Sequence, residues 1–187
     1  MSSPYEQMAE AAKAARSNWT ARNNAAIKAF STFYKKFRDY CQMPEGSLQI
    51  IPWEEKEQVF RRKAKEDFAS IHGSMRRDEV NDEWGLGLYI QLNPLNHFPP
   101  LSIQFGLFLK QEDGKFIFRI GNAENRTIDP TNQTDWDAYF AAIVESMTEE
   151  FEKPFLPKPP TEDPPKTMVN QYGFVLDVAA KDEVSNN

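Results

Sequence analysis

Between Leu101 and Asn122, in LSIQFGLFLKQEDGKFIFRIGN, apolar residues recur at every second position on either side of a polar break. Leu101, Ile103, Phe105, Leu107 and Leu109 share one face of the first arm, and Phe116, Phe118 and Ile120 share one face of the second, which is the period of a half-buried strand. Gln111 to Gly114 supplies a short polar loop whose Gly can take φ > 0, so the stretch predicts a β-hairpin with its register set by the apolar face. The opposite face carries Ser102, Gln104, Gly106, Lys110, Lys115 and Arg119, but also Phe108 and Ile117, and is only partly polar. Upstream, Trp84 to Leu92 alternates Leu86, Leu88 and Ile90 or Leu92 against Gly85, Gly87, Tyr89 and Gln91, which predicts a further strand. Turn-rich Asn93 to Pro100 joins it to the hairpin, and Arg126 to Ile128 can extend the meander.

Elsewhere the apolar period is helical. Ser3-Pro4-Tyr5-Glu6 reads as a capping box with Pro at the first helical position, followed by an Ala-rich run to Arg16. From Trp19, the positions Ile27, Phe30, Tyr34, Phe37 and Cys41 alternate by three and four, with Phe33 and Tyr40 widening the stripe. Ser17 and Asn18 either cap a second helix or lie inside one long one. Met43-Pro44-Glu45-Gly46 breaks the pattern and Leu48 to Ile51 is a short apolar run. Pro52 with Glu54, Glu55 and Glu57 then suggests a helix carrying Trp53, Val59, Phe60, Ala64, Phe68 and Ile71, ended by Gly73. Thr134 or Asp135 is placed to cap a last helix whose stripe is Trp136, Tyr139, Phe140, Ile143, Val144, Met147 and Phe151.

These elements predict an α+β fold: a three- or four-stranded antiparallel meander packed by N-terminal helices and one C-terminal amphipathic helix. The expected organisation is a single domain over 1–153, a connector over 154–166 holding six of the 13 prolines, and a C-terminal apolar segment with a polar tail over 167–187. In that segment Tyr172, Phe174, Leu176 and Val178 alternate with Gly173, Val175, Asp177 and Ala179, a period suited to adding one strand to a sheet edge, in the same chain or in a neighbour.

Composition narrows the function classes. The net charge of −6 divides into 14 Lys+Arg against 11 Asp+Glu in residues 1–80 and 8 against 17 beyond, so the helical half is mildly basic and the rest acidic. Arg61, Arg62, Lys63 and Lys65, with Arg76 and Arg77, form the basic cluster, but they do not share a helix face and Glu57, Glu66 and Asp67 offset them; nucleic-acid binding is not expected. No membrane-length apolar run occurs, the N-terminus lacks the basic and apolar segments of a signal peptide, and a cytoplasmic protein is expected. The single Cys41 sits at an apolar helical position and reads as a structural thiol.

Local catalytic signatures are absent, and His72 and His97 read as structural, which lowers the enzymatic reading. Asp78, Glu79, Asp82 and Glu83 lack the regular spacing and glycine of a calcium loop; Asp129 to Asp135 reads as a turn and helix cap, and Glu112-Asp113-Gly114-Lys115 as an exposed hairpin tip. No metal or cofactor is expected. The favoured role is a noncatalytic protein-interaction or adaptor protein, meeting a protein partner or forming a homo-oligomer, with Phe108, Ile117, Tyr172, Phe174 and Leu176 as candidate contact residues. The alternative is a small-ligand-binding or hydrolytic enzyme with a pocket between helices and sheet.

Overall fold

A computed structural model describes residues 3–54, 59–60, 70–92, 101–121, 123–152, 168–169 and 175–178. In chain order the elements are α1 (Pro4–Tyr40), β1 (Leu48–Ile51), β2 (Trp53–Glu54), β3 (Val59–Phe60), α2 (Ile71–Ser74), β4 (Arg76–Asp78), β5 (Glu83–Gln91), β6 (Leu101–Glu112), β7 (Lys115–Ile120), β8 (Arg126–Ile128), α3 (Gln133–Glu152), β9 (Met168–Val169) and β10 (Val175–Val178). The fold is α+β with an antiparallel sheet, as the periods predict, but among the described residues the sheet has eight strands rather than three or four.

The reason is the length of the two central strands. β5 and β6 pair from Trp84↔Leu109 to Gln91↔Ser102, and each offers an outer edge long enough for two short partners. Along β5 these are β1, opposite Gly87 to Ile90, and β4, opposite Glu83 to Gly85. Along β6 they are β7, opposite Leu107 to Glu112, and β10, opposite Leu101 to Gln104. β8 extends β7 and β9 extends β10, so the sheet is five strands wide at either end. The hairpin between β6 and β7 turns tightly on Asp113 (φ 50°) and Gly114 (φ 76°), two residues rather than the four read from the polar run, because a turn with positive φ at both central positions follows the strand twist.

α1 and α3 cover one face. The Ser3 capping box is present, with Ser3 Oγ accepting from Glu6 N–H at 3.2 Å and Glu6 Oε2 accepting from Ser3 N–H at 2.7 Å. The helix runs unbroken through Ser17 and Asn18. It ends with Gln42 left-handed (φ 51°), whose N–H reaches the Asp39 carbonyl while that of Met43 reaches the Arg38 carbonyl, so the last carbonyls are satisfied. α3 begins at Gln133, two residues earlier than a cap at Thr134 would place it and three earlier than one at Asp135: the Asn132 side chain accepts from Thr134 N–H at 3.0 Å. Facing the sheet, Phe30, Phe33, Phe37, Phe118, Trp136 and Phe140 are fully buried. Phe33 alone places its ring 5.5 Å from each of Phe37, Phe118 and Phe140. The buried stripe of α1 is Asn23, Ala26, Ala29, Phe30, Phe33 and Phe37; Ile27, Tyr34 and Cys41 lie at its margin, and the Tyr34 hydroxyl donates to the Leu48 carbonyl at 2.6 Å, tying α1 to β1.

The helix expected between Pro52 and Ile71 is overturned where the structure describes it: β2 and β3 pair as strands, Trp53 opposite Phe60. Among the described residues of that stretch only Ile71 to Ser74 is helical, with Gly73 inside the turn rather than after it. The competing influence is tertiary. Gly85, Gly87 and Gly106 leave a trough on the sheet face away from the helices, and Phe60 fills it; a Cβ on Gly87 would lie 2.6 Å from Phe60 Cβ and from Ile51 Cγ1. An aromatic side chain seated on bare backbone outweighs the weak local preference for a helix.

Candidate functional site

The second face of the sheet is where the sequence placed Phe108 and Ile117. The structure lays a layer of rings and guanidinium groups on it. Trp53 and Phe60 meet edge to face at 4.9 Å, and Phe60 lies 6.2 Å from Phe108. The Arg76 guanidinium stands 4.1 Å above Trp53 and that of Arg119 stands 4.2 Å above Phe108. Arg119 also pairs with Glu83 at 2.6 Å, both side chains largely buried, and donates to the Gly121 carbonyl. Ile51 and Tyr89 complete the buried part of this layer. Phe108 is therefore half-buried among residues of its own chain; Ile117 is half-buried too, paired in register with Lys110 and Thr127. Leu176 lies in β10 opposite Ile103, while Tyr172 and Phe174 fall outside the described residues, as do His97, the connector and the Arg61–Lys65 cluster.

The acidic cluster disperses. Asp78 accepts from the side chain and backbone of Asn81 and from Val80 N–H, and these bonds hold its carboxyl below the usual range. Asp82 is held low by hydrogen bonds from Arg22 at 2.5 Å and Arg77 at 3.0 Å, and Glu83 faces Arg119 on the other side of the strand. Among the described residues no three His, Cys, Asp or Glu side chains assemble to hold a metal. Asp129 accepts from Thr131 N–H at 2.8 Å, and Asp135 accepts from Asp129 N–H at 3.1 Å and from the Asn132 amide at 2.8 Å; the segment is a turn leading into α3, with Asn132 rather than Thr134 or Asp135 as the cap. Burial pushes the Cys41 thiol up to about 11, so it is a poor nucleophile at neutral pH. The described space between helices and sheet is filled by the aromatic cluster. A 420 Å³ groove lies instead on the outer side of α1 and α3, lined by Thr32, Lys35, Lys36, Asp39, Tyr40, Gln133 and Asp137, where Lys36 bonds Gln133 and Gln133 bonds Asp137.

A surface that the sequence reading passed over is the N-terminal half of α1. Every residue from 3 to 22 is exposed, so nineteen helical residues, Pro4 to Arg22, about 28 Å at 1.5 Å each, extend past the described core. They carry Tyr5 (76% exposed), Met8 (65%) and Trp19 (48%), the last touching Trp84 at a ring separation of 6.4 Å. Tyr5, Met8, Ala12, Ala15 and Trp19 each stand eighteen residues, about five helical turns, before Asn23, Ala26, Phe30, Phe33 and Phe37. The face that the second half buries against α3 and the sheet is thus repeated, in the same direction around the helix, on the half that projects. The signal was legible as an offset in the sequence, but the projecting stripe is Ala-rich and lacks the run of Phe that marks the buried one.

No family model matches this chain, and neither the curated proteins nor the solved structures contain a match to it.

Proposed function

We propose that this protein is a noncatalytic protein-interaction module whose principal contact surface is the N-terminal half of α1. The supporting observation is the five-turn repeat of the packing stripe onto an exposed stretch bearing Tyr5, Met8 and Trp19. A helix of this length gains little from propensity alone and is ordinarily held by an apolar face in contact with something. Phe108 and Ile117 remain in the reading as an apolar margin of the second sheet face, and the proline-linked segment enters it through Tyr172 and Phe174; Leu176 is taken up by backbone pairing with β6. Nucleic acid is left out of the reading because Arg22, Arg77 and Arg119 are each engaged with a carboxylate of the chain. The ligand-binding or hydrolytic alternative has less support, since the described layer between helices and sheet is close-packed rings. Among the described residues, no helix is long and apolar enough to cross a membrane.

The test compares the wild-type chain with Tyr5→Ser/Met8→Ser. Both residues are exposed, so the melting temperature is expected to stay within about 1 °C. Complexes recovered from native extract by size-exclusion and cross-linking are expected to be lost in the variant. Identical complexes from both chains would overturn the reading.

A further inference from the structure

We propose that the turn between β4 and β5 is a salt-sensitive latch that fixes the direction in which the first half of α1 projects from the core. Five groups close a ring there. On α1, Trp19 and Arg22 stand three residues apart, neighbours on one side of the helix and in the last turn before burial begins at Asn23. On the hairpin, Trp84 meets Trp19 at a ring separation of 6.4 Å, and Asp82, two residues earlier, accepts from the Arg22 guanidinium at 2.5 Å. Arg77 joins the two. It donates to the other oxygen of Asp82 at 3.0 Å, and its guanidinium stands 5.7 Å from the ring of Trp84, its partner in the β4–β5 register. The helix is thus held at two points one turn apart, one aromatic and one charged, and two such contacts fix an orientation where one would leave a swivel.

The backbone at Asp82 argues that its carboxylate serves Arg22 and Arg77 rather than the turn itself. Asp82 has φ 52°, in the left-handed region where glycine carries the least strain. The turn is already built by Asp78, whose carboxylate accepts from Val80 N–H at 2.9 Å, from Asn81 N–H at 3.2 Å and from the Asn81 amide at 2.7 Å. Glycine at this position would complete the hairpin more easily, and what aspartate adds is a charge that bridges two guanidinium groups. The neighbouring carboxylates are engaged elsewhere, Asp78 within the turn and Glu83 on Arg119 at 2.6 Å. With the Arg22 and Asp82 side chains about half exposed, ions in solution compete with the bridge, which makes the latch responsive to ionic strength. Opened, it leaves Trp19 on Trp84 as the remaining point of the two, and the projecting half can turn about it.

Hydrogen exchange of the full chain tests this. In Asp82→Asn, in Asp82→Gly and, from the helix side, in Arg22→Gln, the amides of residues 16–26 should exchange roughly 3- to 10-fold faster than in wild type, while those of β6, β7 and α3 keep their rates. Asp82→Gly separates the latch from a role in the turn: with glycine at the left-handed position, β4 and β5 should keep their protection while the helix segment loses its own. Raising the salt from about 0.1 to about 1 M should carry the wild-type segment most of the way to the variants' rates and leave those of Asp82→Asn nearly unchanged. Equal exchange of residues 16–26 in every chain overturns the latch, and so does an effect of Asp82→Asn confined to β4 and β5, which would mark Asp82 as a turn residue only. A wild-type segment indifferent to salt overturns it as well.

Discussion

A single hydrogen atom at Gly87 separates a seated Phe60 from a displaced one. An alanine there places its methyl carbon 2.6 Å from both Phe60 Cβ and Ile51 Cγ1, whereas at Gly106 the nearest atoms are ring carbons of Phe108 and Phe60 at 3.1 and 3.2 Å. Gly87→Ala is therefore expected to cost about 2 to 3 kcal/mol and Gly106→Ala clearly less, both read from urea midpoints at unchanged slope. Equal losses at the two sites would mean that Phe60 does not rest in the trough as described. At Cys41 the prediction concerns pH. Its thiol ionises at about 11 in the folded protein and near 8.5 in a free chain, so the unfolded state gives up this proton first. This group then lowers stability as pH rises above about 8.5, and the loss levels off only near the folded value. Alkylation of the native protein by iodoacetamide should be slow at pH 8 and climb about tenfold per pH unit through pH 10; a plateau by pH 9 would show an ordinary thiol.

At the scale of elements, what could be read from the sequence was whatever repeats within one segment. The alternation in β5, β6 and β7 and the stripe of α3 needed no knowledge of the rest of the chain, and Phe105 and Phe118 lie buried where the period placed them. Replacing either by Ala is expected to cost about 3 to 5 kcal/mol, and a denaturation midpoint that barely moves for both would contradict the hairpin. The segment after Pro52 failed for the complementary reason. Its acidic start and spaced apolar residues satisfy the local rules for a helix, while the surface that draws Trp53 and Phe60 into strands consists of glycines on β5 and β6, recognisable only once those strands lie side by side. The candidate site divides in the same way. Phe108 and Ile117 were visible as apolar residues on the wrong face of a strand, but that Phe60 and Arg119 sit against Phe108 depends on contacts from distant parts of the chain. The projecting stripe of α1 was local and went unread because alanines give a weak signal.

At the scale of the whole molecule, the C-terminal segment and the edge of β6 explain one another. β7 covers β6 only from Leu107 to Glu112, which leaves the stretch from Leu101 to Gln104 with an open edge of the kind that invites pairing between chains. β10 fills that gap in the same chain, Val175 opposite Gln104 through Val178 opposite Leu101, and β9 lies outside it. The period of two between Tyr172 and Ala180 called for a strand on some sheet edge, and thirteen connector residues have a maximum polyproline reach of about 40 Å, enough for their own edge or a neighbour's; for Val175 to Val178 pairing within the chain is what the structure contains. Ending the chain at Pro160 removes β9 and β10 together and returns that edge to solvent. The expected result is a loss of roughly 1 to 3 kcal/mol, a fall of several degrees in melting temperature, with faster aggregation on heating. If the truncation converts an oligomer to monomers while the melting temperature stays where it was, the strand is being exchanged between copies rather than returned to its own sheet.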